Sequence, residues 1–326
     1  MMTGDEDMPY KDVLDEIKVF RPKILNLMIT ERCNYLCSFC NFHKKSGEMP
    51  FELAIRIINE SQNAGIKTIA FTGGEPLLYK GIFDLIRLIK TYGMSPHITT
   101  NGSLVDNNFE EIIDSGLDSM SFSVDGYGDT HDRLRGVKGS FDNIEKAMTR
   151  LAEGSKVLLF VNMVVTRWNV KEILKVYEFA RSHRATFFFW PVNDVEMLYM
   201  DEANREEYLF AVKSICDREG YNENMRRFLE MGIDYHIGKI RRFRCPAFFS
   251  TVNINFDGEV MPCCVWGAKE LSAGNIKENG LIDILGSEKA KDIVKGIFDR
   301  GCYNRCYNSM LPEFSNMFNE DFILWE

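Results

Sequence analysis

Cys33, Cys37 and Cys40 are separated by three and two residues in Cys33-Asn34-Tyr35-Leu36-Cys37-Ser38-Phe39-Cys40. Three soft thiolates on so short a segment suit one face of an iron–sulfur cube. Such cubes are ordinarily held by four cysteine thiolates, and no fourth cysteine follows in this segment. One iron is then left open, and an open metal position is a place for a small chelating molecule to bind. His43 lies close enough in sequence to fill that position instead. A structural zinc knuckle is the competing reading, although a structural zinc site expects a closed shell of four ligands.

A second group lies toward the C-terminus: Cys245, Cys263, Cys302 and Cys306. Cys245 and Cys263 flank the run Phe248-Phe249-Ser250-Thr251-Val252-Asn253-Ile254-Asn255-Phe256-Asp257-Gly258-Glu259-Val260. Asp257-Gly258 between two alternating runs is a hairpin signal, and a hairpin brings its two ends together. A helix expected over 281–297 then leads to Cys302-x3-Cys306. Four thiolates meeting in this way can close round a second cube, with zinc as the alternative. Cys216, within a helical run, reads as a buried small hydrophobe.

Polar residues at the ends of apolar runs complete the candidate chemistry. In Thr72-Gly73-Gly74-Glu75-Pro76, two glycines let the backbone approach a ligand closely. Pro76 fixes the turn into the next helix, and Glu75 offers an acceptor to an ammonium group. A plain strand-to-helix turn is the bland alternative. Ser123 and Asp125 are two apart on an expected strand and share a face. Arg135 follows ten residues on, suited to gripping a carboxylate with a two-pronged bond, with an ordinary surface arginine as the alternative. Asn162 is a polar residue in an apolar strand and must be hydrogen-bonded if buried, to a ligand or to neighbouring backbone.

These residues need a scaffold, and the chain reads as one. Strands are expected at 24–30, 67–72, 95–100, 118–124, 156–165 and 185–190, and helices at 50–64, 82–92, 106–115, 140–153 and 169–183. A short helix is expected at Tyr10 to Val19, and more helix after Asp201. Strict alternation of this kind argues for parallel βαβ units. The expected fold is α/β: an open, six-stranded partial TIM-like barrel with a small C-terminal cysteine-rich hairpin and helix domain. The boundaries are a polar lead-in at 1–20, the barrel at 21–235 and the cysteine-rich domain at 236–326. The cysteine triplet then follows the first strand, at the strand end where such folds carry their chemistry.

The triplet, with the aromatic Phe39 before its last cysteine, resembles the radical S-adenosylmethionine (SAM) enzymes. Gly73-Gly74-Glu75-Pro76, Thr99-Thr100-Asn101-Gly102 and Ser121-Phe122-Ser123-Val124-Asp125-Gly126 match further motifs of that family, in its order, over about residues 20 to 190. The resemblance implies a [4Fe-4S] cluster on Cys33, Cys37 and Cys40 with SAM at its open iron. It implies SAM contacts from Phe39, Gly73, Gly74, Glu75, Pro76, Thr100, Asn101, Ser123, Asp125 and Arg135, and Asn162, from its place in an apolar strand, is a further candidate to orient SAM or substrate. Phe39 would lie near the adenine, and the Gly-Gly-Glu-Pro segment would meet the methionyl amino group, largely through backbone oxygens. Ser123 and Arg135 would hold the SAM carboxylate, and Asp125 the ribose hydroxyls or the turn. The C-terminal cysteines resemble the Twitch domain, a shortened SPASM extension. That pattern makes Cys263, in Gly258-Glu259-Val260-Met261-Pro262-Cys263, the ligand rather than Cys264. It implies one auxiliary [4Fe-4S] cluster on Cys245, Cys263, Cys302 and Cys306, although the Cys302-x3-Cys306 gap is one residue longer than the common form.

The implied chemistry is reductive cleavage of SAM and hydrogen abstraction from an unactivated carbon, fed by an electron donor such as flavodoxin or ferredoxin. The substrate expected is a peptide, as for a maturase; a small molecule such as a sugar alcohol is the alternative, and a non-catalytic metal scaffold the third reading. Asn193, Asp194 and Glu196 are candidates for substrate contact. No catalytic acid or base stands out. The formal net charge of −9 disfavours nucleic acid, which needs basic patches. The 326 residues contain no apolar run long enough to span a membrane and no signal-peptide pattern at the acidic N-terminus. A cytoplasmic location, with its nine cysteines kept as thiols, is the expectation.

Overall fold

A computed structural model of the chain describes residues 17–192, 195–239, 248–263 and 271–300. Six strands, β1 (Ile24–Thr30), β2 (Thr68–Gly73), β3 (Ser95–Thr100), β4 (Ser119–Ser123), β5 (Leu158–Val165) and β6 (Thr186–Pro191), pair in parallel with their neighbours in sequence. Helices fill the crossovers: α1 (Phe51–Ala64), α2 (Ile82–Thr91), α3 (Phe109–Asp114), α4 (Asp129–Arg135), α5 (Ser140–Gly154) and α6 (Ile173–Ser182). Then come α7 (Arg205–Glu219) and α8 (Glu223–His236). This is the expected partial barrel.

The sequence produces these elements by two periodicities. In α1 the buried residues are Leu53, Ala54, Ile57, Ile58, Ser61 and Ala64, the stripe of an amphipathic helix, and Gly65 ends it in the left-handed conformation. In β5 burial alternates: Leu159, Val161, Met163 and Val165 are buried, while Phe160, Asn162 and Val164 are half-buried. The first set packs in the main core with the helices, each large apolar side chain contributing about 1.5–3 kcal/mol. The second set faces the barrel lumen, where the candidate site lies.

One expected element is extended and one is revised. The hairpin strands β7 (Thr251–Ile254) and β8 (Glu259–Met261) form as expected, with a short third strand, β9 (Gly274–Asn275). However, β7 pairs in parallel with β1, from Ile24↔Thr251 to Leu27↔Ile254, so the sheet runs unbroken in the order β6-β5-β4-β3-β2-β1-β7-β8-β9. The division drawn at residue 235 therefore does not interrupt the sheet. The helix expected at 281–297 is two helices, α9 (Leu281–Leu285) and α10 (Glu288–Arg300). Gly286 separates them where the chain passes close to Lys18 and Val19, so that a Cβ there would sit 3.1 Å from Val19 Cγ2. Most of the short helix expected before Val19 lies outside the described residues, as do Asn193, Asp194, Cys245, Cys264, Cys302 and Cys306.

Candidate functional site

The cysteine loop leaves the C-terminal end of β1. Gly73 and Gly74, at the end of β2, pack against its first residues. A Cβ on Gly73, whose φ is +124°, would stand 2.1 Å from the Thr30 carbonyl oxygen, and one on Gly74 2.1 Å from that of Arg32. The Gly74 and Glu75 backbone N–H groups donate to the Thr30 and Arg32 carbonyls, both at 2.8 Å. The close approach these glycines permit is thus to the chain entering the cysteine loop.

Glu75 is fully buried. Its Oε1 accepts from the Leu77 backbone N–H (3.1 Å) and the Thr100 hydroxyl (2.9 Å), and its Oε2 from the Asn101 backbone N–H (2.7 Å). Burial pushes the carboxyl up to about 7, against the pull of these donors. Both carboxylate oxygens are therefore engaged by protein groups, and the side chain ties the turn after β2 to the turn after β3. Pro76 begins a short 3-10 turn over Pro76–Leu78.

On its other side the cysteine loop is docked on the end of α4. Leu36 N–H donates to the Arg135 carbonyl (3.2 Å) and Ser38 N–H to that of Leu134 (2.9 Å). The Arg135 side chain turns back onto the loop: Nη1 lies 3.8 Å from Cys37 Sγ, and the guanidinium sits 5.5 Å above the centre of the Phe39 ring. Its Nε forms a buried ion pair with Asp125 Oδ2 at 2.5 Å. Asp125 Oδ1 accepts from the Val164 N–H (2.8 Å), its own N–H donates to His131 Nδ1 (3.2 Å), and its carbonyl accepts from Asn169 (2.8 Å). The surface alternative for Arg135 is excluded by its burial. Asp125, expected at the ribose hydroxyls or the turn, is the counter-ion of Arg135 in this structure.

Ser123 and Asn162 are register partners on β4 and β5, both half-buried on the luminal face. Thr100 and Asn101 are buried. Burial pushes the Cys33 and Cys37 thiols up, and the charge of Cys40 adds to this in both cases. Two buried thiols whose ionisation is penalised in this way suit a cationic group that removes the penalty. Among the described residues no three His, Cys, Asp or Glu side chains stand close enough to share one metal ion; thiols that grip a cube at three corners stand farther apart than thiols round a single zinc. The residues present fit a three-thiolate cluster.

The lumen itself carries a feature that the sequence reading passed over. Phe160, Phe188 and Trp190 form a run of near-parallel rings across β5 and β6, at 6.1 and 5.8 Å between centroids and 14° and 11° between planes. Opposite them in register stand hydroxyls: Ser121 beside Phe160, and Ser123 beside Asn162 and so beside Phe188. None of the six parallel strands carries a Lys, Arg, Asp or Glu. His97, on β3, has its imidazole pushed down to about 4 by burial and is neutral. The available signal was the unbroken aromatic run Phe187-Phe188-Phe189-Trp190, of which every second residue must share the face of the strand opposite to its neighbours.

A family profile described as the radical SAM superfamily matches residues 27–180, from β1 into α6. The chain belongs to the radical SAM superfamily. A second profile, described as an iron–sulfur cluster-binding domain, matches residues 245–308, so Cys245, Cys263, Cys302 and Cys306 all fall within a SPASM-type domain. The chain is 27% identical to a GTP 3',8-cyclase of Sulfurimonas denitrificans, over 83% of this chain and 88% of that protein. It is 30% identical to the sporulation killing factor maturation protein SkfB of Bacillus subtilis, over 49% of this chain and 40% of that one. The crystal structure of Streptococcus suis SuiB bound to precursor peptide SuiA matches 89% of this chain and 73% of that chain with a TM-score of 0.66; at 18% identity this is a likeness of fold.

The protein is therefore a radical SAM enzyme with a C-terminal iron–sulfur domain. Of that domain's expected ligands only Cys263 is described, half-buried just past β8 and packed against the core. Cys216 is buried in α7 with its thiol pushed up to about 11, the inert packing residue expected. Glu196 is exposed at the start of the turn Glu196–Leu198. No helix among the described residues is long and apolar enough to cross a membrane.

Proposed function

We propose that this radical SAM enzyme modifies a side chain of a peptide, using SAM at the Cys33, Cys37 and Cys40 cluster and one auxiliary cluster on Cys245, Cys263, Cys302 and Cys306. When bound, the cluster and SAM supply one electron to a sulfonium and a carbon radical that removes hydrogen from substrate. The chain's own residues position and enclose. Arg135, Asn101 and Glu75 hold the cysteine loop between the turns after β2, β3 and α4. Ser123 and Asn162 offer luminal hydrogen bonds to SAM, and the carbonyls of Gly73 and Gly74 lie near the cluster loop for its amino group.

The observation that carries the peptide reading is the luminal surface: stacked aromatics with hydroxyls beside them on the neighbouring strand, and no charged residue on any of the six strands. A neutral peptide side chain can be desolvated there at little cost, whereas a triphosphate or several carboxylates would need cationic partners. The maturation role named for SkfB and the precursor peptide bound to SuiB support the same reading. The test is to add SAM, a low-potential reductant and candidate precursor peptides to the reconstituted enzyme, reading 5′-deoxyadenosine and peptide mass together. A change in peptide mass stoichiometric with 5′-deoxyadenosine is expected.

A second reading, a small-molecule substrate, is favoured by the match to GTP 3',8-cyclase along most of both chains. GTP is therefore an arm of the same experiment. A GTP-dependent rise in 5′-deoxyadenosine with a new nucleotide product, and none with peptides, would replace the peptide reading.

A further inference from the structure

Two of the three cysteine thiols each face an N–H donor from a side chain that cannot turn away. Asn101 Nδ2 is 3.9 Å from Cys33 Sγ and 2.8 Å from Asn34 Oδ1. The direction of its amide is fixed from behind, because Asn101 Oδ1 accepts from both the Ser103 N–H (3.0 Å) and the Ser103 hydroxyl (2.6 Å). Only the NH2 end is left to face the sulfur. Its backbone N–H is in turn held by Glu75.

Arg135 Nη1 is 3.8 Å from Cys37 Sγ. Here the restraint is an ion pair with Asp125 on one side and the Phe39 ring on the other. Asp125 is fully buried and anchored by the Val164 N–H, so the guanidinium cannot move away without stranding a buried carboxylate. The pairing also changes what the sulfur meets. A lone arginine would present a full positive charge; paired with Asp125 it presents a directed N–H with little net charge.

Resting on the radical SAM assignment, we infer that Asn101 and Arg135 are positioning residues that set the reduction potential of the cluster on Cys33, Cys37 and Cys40, with Asp125 holding the effect of Arg135 in check. A hydrogen bond to a ligand sulfur withdraws electron density and favours the reduced, more negative cluster, so each donor raises the potential. The carboxylate of Asp125, behind the guanidinium, pulls the other way. The signs are opposite for neighbouring residues of one network, which a merely structural role would not produce.

The experiment is a redox titration of the full-length, anaerobically reconstituted protein without SAM, followed by electron paramagnetic resonance. The signal of this cluster is identified as the one that changes when SAM is added. Asn101→Ala and Arg135→Met should each shift the midpoint to more negative potential, and Asp125→Asn should shift it to more positive potential. Unchanged midpoints at full iron content, or shifts of one sign in all three, overturn the inference. Where a variant loses its iron, wild-type protein carrying 15N-arginine decides: pulsed resonance on the reduced cluster should show a weak nitrogen coupling that changes with the isotope, and its absence overturns the arginine contact. Wild-type protein that holds no SAM-responsive cluster would instead sink the family-level reading.

Discussion

The Gly136 α-carbon packs directly onto the carbonyl of Leu36: a Cβ there would stand 2.4 Å from the Leu36 oxygen, and the residue's φ is +70°. The end of α4 and the cysteine loop are thus in backbone contact, and the two hydrogen bonds from Leu36 and Ser38 to Arg135 and Leu134 depend on it. Gly136→Ala should therefore cost about 2 kcal/mol and lower the iron retained per chain. Gly139→Ala is the control, since Gly139 has a similar φ of +75° with nothing within 4 Å. It should cost about 1 kcal/mol and leave iron unchanged. Equal iron loss in both would show that loop docking does not depend on this contact.

Glu75 is held by three donors in a site without water-facing surface. Glu75→Gln turns one acceptor end into an NH2 group facing N–H donors. A loss of about 1–3 kcal/mol in denaturant unfolding is expected for the apo protein, together with weaker retention of iron. Wild-type stability in this variant would mean that the tie between the turns after β2 and β3 contributes nothing.

Two buried histidines, His131 and His236, and the half-buried His97 make the fold acid-sensitive. Burial holds His97 and His236 down at about 4 and His131 at about 3. Each is neutral when folded and takes up a proton near about 6.5 when unfolded, so stability is lost as pH falls from about 6.5 toward about 4. Glu75 acts in the opposite sense: with its carboxyl raised to about 7, its contribution is present below about 4.5 and lost as pH rises toward 7. The histidines outnumber it, so apo-protein stability should fall between pH 6.5 and 4.5, by about 1.4 kcal/mol per pH unit for each unmatched proton. His236→Gln should flatten that slope; an unchanged slope would remove His236 from the account.

The ring stack predicts a separation of two activities. Phe188→Ala and Trp190→Ala open the luminal wall without touching the cysteine loop. SAM cleavage should persist while substrate turnover falls, so that 5′-deoxyadenosine exceeds product by tenfold or more, about 1.4 kcal/mol of lost binding or alignment. Product and 5′-deoxyadenosine falling together would place these rings in the scaffold rather than against substrate.

Iron content tests the two cysteine groups. Wild-type protein should hold about eight irons per chain, and replacing Cys33, Cys37 and Cys40 together by Ala should leave about four. Cys37→Ala should abolish SAM cleavage, whereas Cys302→Ala should remove the second cluster and leave some uncoupled cleavage. Unchanged iron in Cys302→Ala would mean that the auxiliary ligands are assigned wrongly.

Much of this was legible because it is local. The spacing of Cys33, Cys37 and Cys40 and the alternation of strand and helix depend on neighbours in sequence, and the strands and helices expected between residues 24 and 190 formed within a few residues of their places; α4, which carries Arg135, was not among them. What could not be read were pairings made across the fold. Asp125 and Arg135 meet because a strand end and a helix end converge, which no periodicity encodes. Asn101 reaches Cys33 from the turn after β3. Glu75 looked like a ligand acceptor because its donors come from Thr100 and Asn101, on another strand's turn. The Asp257-Gly258 hairpin was plain, but its docking on β1, with Asn253 accepting from Asn26 at 227 residues' separation, was not.

That last pairing has a consequence for truncation. A chain that stopped before Thr251 would lose the partner of β1, because β7 occupies that side of Ile24–Leu27. The first strand would become an exposed, uncharged border, Ile24-Leu25-Asn26-Leu27-Met28-Ile29-Thr30, with free N–H and C=O groups along it. Such a border recruits other copies. The barrel residues alone therefore make a poor minimal fragment: they should associate and precipitate, and the C-terminal hairpin is what keeps the strand that carries the cysteine loop from doing so.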